Sequence, residues 1–209
     1  MSELVTNKIT PSTGSSDTVT LGDSGDTFTI PSGVTMTNSG TATGFGGGKV
    51  LQVIQTHYIT ATSQSVADMT QTSITGVNAT ITPSATSSKV LISIRWAGEF
   101  GHTDIHNMSF GIHRGTTAIG NPATAGSRRL GITHVSAGYW NSNADTTPDT
   151  VSYEYLDSPS TTSATVYHAT VIQAQGTSQT LYTNRTVGDG DNDTCERLTS
   201  TITLMEIGA

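Results

Sequence analysis

The sequence predicts an all-β protein in which an N-terminal segment of very short strands precedes an antiparallel β-sandwich or barrel. The 40 Thr, 15 Ile and 13 Val residues make up a third of the 209-residue chain, and β-branched residues favour strands over helices. Charged residues are only 12% of the chain, about half of the usual roughly 25%, which disfavours coiled coils. Apolar residues alternate with a period of two, as in Val90–Ala97, and no stretch has a convincing helical period.

Residues 1–46 form the predicted N-terminal segment, which is rich in glycine and poor in apolar residues. Its apolar residues come in pairs two positions apart, each pair followed by a turn signal: Val19 and Leu21, Phe28 and Ile30, Val34 and Met36. Strands as short as these cannot bury enough surface to order themselves within a single chain. We therefore expect an ordered stalk in which several chains complete one another's core, the alternative being a disordered segment.

Residues 47–209 form the predicted β domain, and the glycine cluster at residues 44–48 is typical of a hinge or tight corner before it. Turn signals separate about nine candidate strands. These are Lys49–Tyr58, Ser73–Thr82, Val90–Ala97, Asn107–Arg114, Arg129–Tyr139, Thr150–Leu156, Thr165–Gln175, Thr180–Asn184 and Ser200–Ile207. Ser63–Met69 is the only weak helical option. Many short strands at this spacing predict an antiparallel sandwich or barrel.

Charge and hydropathy exclude several classes of protein. With a net charge of −7 and nine Lys and Arg residues, the chain lacks the basic stripe of a nucleic-acid-binding protein. No apolar run approaches the length of about 18 residues that a membrane span needs, so no membrane insertion is expected. The N-terminus has no apolar signal-peptide core, which predicts synthesis in the cytoplasm without export by that route. The single cysteine, Cys195, is expected to be a free thiol.

The N-terminal segment also contains a specific succession of residues. It includes KITPSTG at residues 8–14, VTLGDSGDTFTIPSGV at residues 19–34 and TNSGTATGFG at residues 37–46. This succession resembles the stalk region of tail-fibre and related virion proteins of marine bacteriophages, cyanophages among them. Three later stretches are similar to the distal domain of such proteins: residues 48–58, 82–92 and 200–207.

The resemblance implies a trimeric stalk and a jelly-roll head akin to the tumour-necrosis-factor and complement-head type. It implies a homotrimer that is localised in the virion after synthesis in the host cytoplasm. The expected function is that of a structural virion protein, a phage tail fibre or appendage whose head contacts the host cell surface. The alternatives are a capsid-decorating fibre or adaptor without a receptor role, a polysaccharide depolymerase, and a free bacterial lectin.

We expect residues 1–46 to face the virion and bind other virion proteins, while the β domain faces outward. The N-terminal segment is slender, and the glycine cluster after it permits a change of direction. The loops with the richest binding chemistry, residues 139–149 and 188–196, both belong to the β domain.

Histidine and aspartate residues in one region form a candidate metal site. His102, Asp104 and His106 alternate and would share one strand face, and His113 and His134 lie in the same region. Imidazole and carboxylate groups at this spacing could hold zinc. A polar loop is the simpler interpretation because no fourth ligand is evident.

The acidic turn at Asp189, Asp191, Asp193 and Glu196 offers oxygen ligands of the type that calcium prefers. The helix–loop–helix calcium signature fails because its sixth and twelfth positions are not Gly and Glu. A solvated acidic turn is the simpler interpretation. We therefore expect neither a metal ion nor a cofactor.

Catalytic motifs are absent from the sequence: it contains neither a Gly-x-Ser-x-Gly elbow nor a His-Glu-x-x-His zinc motif. Asp149, Glu154 and Asp157 could supply the carboxylate pair of a glycosidase. However, strand alternation places Asp149 and Glu154 on opposite faces. The expectation is that the protein is not an enzyme.

The aromatic residues suggest a binding site for host surface glycan. Tyr139 and Trp140 run into a polar loop that contains Asn141 and Asn143. Exposed rings stack on the apolar face of a sugar while nearby amides bind its hydroxyl groups. The alternative is that Trp140 closes the end of the core.

Three other aromatic residues lie within predicted strands. Trp96 belongs to an alternating apolar strand, which predicts a core position. Tyr153 and Tyr155 share one strand face and are expected at a subunit interface, where tyrosine is enriched.

Overall fold

The computed structural model describes residues 27, 29, 30, 32–35, 49–101, 108–135 and 146–208. The chain divides into two compact units, Met1–Phe45 and Gly46–Ala209. The described residues of the first unit are exposed, with a turn at residues 32 and 33. The predicted trimeric stalk otherwise lies outside the described residues and stays a prediction. The second unit contains the sandwich described below.

Eleven β-strands and no helix occur in the part of the chain that the structure describes, so no helix there could span a membrane. The strands are β1 (Val50–Tyr58), β2 (Thr62–Val66), β3 (Thr72–Ile81), β4 (Lys89–Phe100), β5 (Met108–Arg114), β6 (Thr117–Ile119), β7 (Thr133–His134), β8 (Asp149–Asp157), β9 (Thr165–Gln173), β10 (Gln179–Thr183) and β11 (Ser200–Ile207). The all-β prediction is confirmed.

The strands form two antiparallel sheets. The six-stranded sheet has the order β1-β11-β4-β10-β2, with β8 on the other side of β4. The five-stranded sheet has the order β3-β9-β5-β6, and β7 also pairs with β5. The chain passes from one sheet to the other five times between β3 and β10, which is compatible with a jelly-roll-like sandwich. The predicted antiparallel sandwich is therefore confirmed.

Side chains of alternate positions fill the space between the sheets. In residues 89–96 of β4 and throughout β11 every second residue is buried, since successive side chains of a strand point to opposite faces. The rings of Trp96 and Phe110 lie 4.9 Å apart at the centre. The Trp96 indole nitrogen donates a 3.0 Å hydrogen bond to the Thr183 hydroxyl, which satisfies its only polar group. The predicted core position of Trp96 is thus confirmed.

Two buried glutamates accept hydrogen bonds from loop residues and so hold these loops against the sandwich. Glu99 accepts hydrogen bonds from the backbone of Thr147 at 3.2 Å and of Val187 at 2.6 Å, and so joins the loops before β8 and after β10. Burial would raise the pKa of Glu206, but hydrogen bonds from Gln52 and Ser84 outweigh it and lower the pKa to about 2. Its carboxylate is therefore ionised at neutral pH and holds the turn before β4.

Three predictions of local structure are wrong. The weak helical option at Ser63–Met69 is largely strand β2, because pairing with β10 determines its conformation. The predicted strand Arg129–Tyr139 is reduced to Thr133–His134 among its described residues. Tyr153 and Tyr155 point into the sandwich instead of to a subunit interface, and the Tyr153 hydroxyl donates a 2.8 Å hydrogen bond to the carbonyl of Gly111.

Candidate functional site

The outer face of the six-stranded sheet carries a continuous row of apolar side chains. Direct cross-strand pairs join Val53 of β1 to Met205 of β11, Met205 to Leu91 of β4, and Leu91 to Leu156 of β8. Directly opposite residues of antiparallel strands project to the same face. Because neighbouring strands lie about 4.8 Å apart, the row crosses roughly 15 Å of sheet. We call these four residues the apolar row.

Along the direction of the strands, the apolar row has an apolar neighbour on the side where β1 begins and polar neighbours on the opposite side. Leu51 beside it is 49% exposed, and within it Val53 is 55% and Leu156 46% exposed. The next row is polar: Gln55, Thr203, Ser93 and Glu154. An exposed patch of aligned apolar side chains marks a contact surface in a soluble protein. The arrangement can therefore support assembly at one end of the sheet.

The outer face of the five-stranded sheet is polar and contains a pair of histidines. His113 of β5 lies directly opposite His168 of β9. The His113 Nδ1 atom lies 3.1 Å from the hydroxyl oxygen of Ser73. Burial lowers the pKa of both imidazoles, and the neighbouring His168 lowers that of His113 further. The pair is therefore held in the neutral form more strongly than free histidine.

We predict that the free energy of unfolding falls as the pH is lowered from 7 to 5. A histidine with a lowered pKa in the folded state binds fewer protons than in the unfolded state, so its contribution is complete above about pH 6.5 and decreases below it. Denaturant unfolding at several pH values should show a shallower dependence in His168→Gln. His57→Gln, on the exposed face of β1, serves as the control. An unchanged pH dependence in His168→Gln would contradict the prediction.

A partly buried ion pair, joined by a tyrosine, connects the two sheets at another point. Arg114 of β5 contacts both carboxylate oxygens of Asp157 of β8 at 3.1 and 2.9 Å. The Tyr167 hydroxyl of β9 donates a 2.7 Å hydrogen bond to the same carboxylate. Burial and the adjacent carboxylate raise the pKa of Tyr167. Asp157 therefore has a structural role, in which it pairs with Arg114 and Tyr167. These two partners could not be predicted from the sequence.

The three carboxylates weighed as a glycosidase pair are separated in the structure. Asp157 is engaged by Arg114 in the interior. Glu154 is exposed and lies on the opposite face of β8 from Asp149, as strand alternation predicts. Glu154 thus cannot act with either of the others across one substrate.

In the acidic turn considered for calcium, two arginines neutralise the first acidic residue, Asp189. Asp189 forms ion pairs with Arg185, at 2.9 Å, and with Arg197. Within the described ranges, no group of three or more His, Cys, Asp or Glu residues could hold a metal ion. Asp191, Asp193 and Glu196 are therefore not assembled with Asp189 into a calcium site.

Of the other predicted site residues, the structure describes only some. Tyr139, Trp140, Asn141 and Asn143 of the predicted glycan site lie outside the described residues. The same holds for His102, Asp104 and His106 of the zinc candidate. His134 pairs with Ser109, four residues along β5 from His113. These two histidines are therefore about 13 Å apart along the sheet and do not form one metal site.

No protein-family model matches the chain, and no curated protein matches it.

Proposed function

We propose that this protein is a homotrimeric virion fibre whose jelly-roll domain contacts the host cell surface. The observation that carries the proposal is the apolar row, because it is the surface through which identical heads could associate. Burial of a fully exposed Val, Leu or Met side chain contributes about 1.5–3 kcal/mol, so burial of what is still exposed of the row in three copies would favour association.

The position of the apolar row supports a common stalk. The row lies at the end of the sheet where β1 begins, directly after residue 49. Association through this end would bring three copies of residue 49 near one another. Residues 1–46 of the three chains could then assemble together, as their thin apolar pattern requires, and join other virion proteins. The resemblance of residues 8–46 to phage fibre stalks supports the same arrangement.

The mass of the full chain in solution tests the assembly, and labelled particles test the location. Light scattering should give three times the 21.7 kDa chain mass, and a monodisperse monomer at micromolar concentration would refute the trimer. Antibodies against the β domain should label the tail of the particle in electron micrographs. Labelling over the capsid would favour the decorating fibre, and unlabelled particles would reject a virion role.

A further inference from the structure

A shallow cleft of about 480 Å³ opens beside the start of β5 and the end of β9. It is lined by two guanidinium groups, two hydroxyl groups and two apolar side chains: Arg128, Arg129, Ser109, Ser127, Met69 and Ala174. No acidic side chain lines it among the described residues. This local positive charge contrasts with the net charge of −7 of the whole chain.

Backbone contacts fix the segment that carries the two arginines. The amide of Ile132 donates a 2.7 Å hydrogen bond to the carbonyl of Phe110. Gly131 packs so closely on β5 that a Cβ atom there would lie 2.8 Å from the Cβ atom of Ser109. On the other side, Arg128 donates a side-chain hydrogen bond of 3.0 Å to the carbonyl of Ala125. The cleft is therefore built on an ordered turn that lies directly against the sheet.

The guanidinium group of Arg129 has no partner among the residues that the structure describes. Arg129 is half-buried, and among the described residues it forms neither a hydrogen bond nor an ion pair. Arg114, Arg185 and Arg197, by contrast, each pair with a carboxylate. A guanidinium group offers a planar set of donors that matches an anionic oxygen pair. Within the described ranges, a guanidinium group with free donors thus lies in a cleft without acidic side chains, which points to an anionic ligand.

We propose that this cleft binds a carboxylate-bearing sugar unit of a surface polysaccharide. Arg129 and Arg128 would hold the carboxylate, and Ser109 and Ser127 the hydroxyl groups. The apolar surface of Met69, which is 43% exposed, would contact the C–H face of the ring. The net charge of −7 repels densely charged polyanions, which favours a sugar with one charge per unit. The inference rests on the proposed function only for the source of the sugar, the host surface.

Calorimetric titration of the full chain tests the cleft with three probes: trigalacturonate, neutral maltotriose and sodium sulfate. Trigalacturonate should bind more tightly than either of the others. Removing a charged hydrogen-bond donor should lower the affinity about tenfold or more, so we expect this loss in Arg129→Gln and in Arg128→Gln. Arg197→Gln removes the same charge from an exposed position that is paired with Asp189, and should bind as the original chain does. All three variants should keep the original melting temperature.

The outcomes distinguish failure of the proposed sugar-binding cleft from failure of the proposed virion function. Equal affinity for maltotriose would overturn the role of the carboxylate, and equal affinity for sulfate would overturn the sugar. Unchanged affinity in both cleft variants would place the ligand elsewhere. A trimer that labels the virion but binds no trigalacturonate would refute the cleft alone. Cleft-dependent binding by a chain absent from virions would refute the fibre and retain the cleft.

Discussion

Replacing Leu156 with lysine is expected to convert the proposed trimer to a monomer. Leu156 ends the apolar row, and its side chain is 46% exposed in the single chain, so the substitution leaves the fold intact. In the assembled head the lysine would place an unpaired charge in an apolar interface, which costs several kcal/mol per copy. Light scattering should therefore show one third of the mass of the original assembly.

Thr150→Lys provides the matched control for this substitution. Thr150 is exposed on the same face of the same strand, but it lies six residues, or about 20 Å, from Leu156. The control adds the same charge outside the apolar row and should remain a trimer. A trimeric Leu156→Lys chain, or a monomeric Thr150→Lys chain, would contradict the assignment of the row to the interface.

Replacing Asp157 with alanine is expected to cause the largest loss of stability of the single domain. The substitution leaves Arg114 without its counter-ion and the Tyr167 hydroxyl without its acceptor. Breaking a fully buried ion pair costs about 3–5 kcal/mol. Because the Arg114 side chain is 33% exposed, the loss here should lie near the lower end, about 3 kcal/mol. For a domain of this size the melting temperature should fall by about 10 °C, which calorimetry of the melting transition would measure.

Glu154→Ala tests whether this effect belongs to the buried pair. Glu154 lies on the same strand but is exposed, so its replacement should change the stability by less than about 0.5 kcal/mol. A triple variant with Arg114→Met, Asp157→Leu and Tyr167→Phe should recover much of the loss, because apolar packing can replace a buried ion pair. Equal losses in Asp157→Ala and Glu154→Ala would contradict the structural role of the pair.

The strands with strict apolar alternation could be predicted from sequence, and those without it could not. Ser200–Ile207 has the predicted bounds because every second residue faces the core. Strand β2, Thr62–Val66, contains one apolar residue in five and was assigned a weak helical option. Its conformation depends on β10, more than 110 positions away in sequence. The local strand propensity of a segment is a weak guide to its conformation where pairing with a distant strand determines that conformation.

The candidate sites were harder to predict because each combines residues from distant strands. The apolar row depends on the register of four strands, from Val53 of β1 to Leu156 of β8. The Arg114–Asp157 pair needs the packing of one sheet on the other. Alternation separated the two faces of β4 and β8, but in β8 it did not show which face is buried, since Tyr153 and Tyr155 were expected at an interface and lie in the sandwich. The alignment of the row's members in one line follows only from the register.

The place of β11 in the sheet has a consequence for synthesis. This strand is made last in the domain, yet it lies between β1, which is made first, and β4. Until β11 emerges from the ribosome, the β1 and β4 edges that it covers stay unpaired and prone to pairing with other chains. Most of the closing contacts are also distant in sequence, which slows folding. Newly made chains should therefore need chaperone protection until β11 has left the ribosome and paired with β1 and β4.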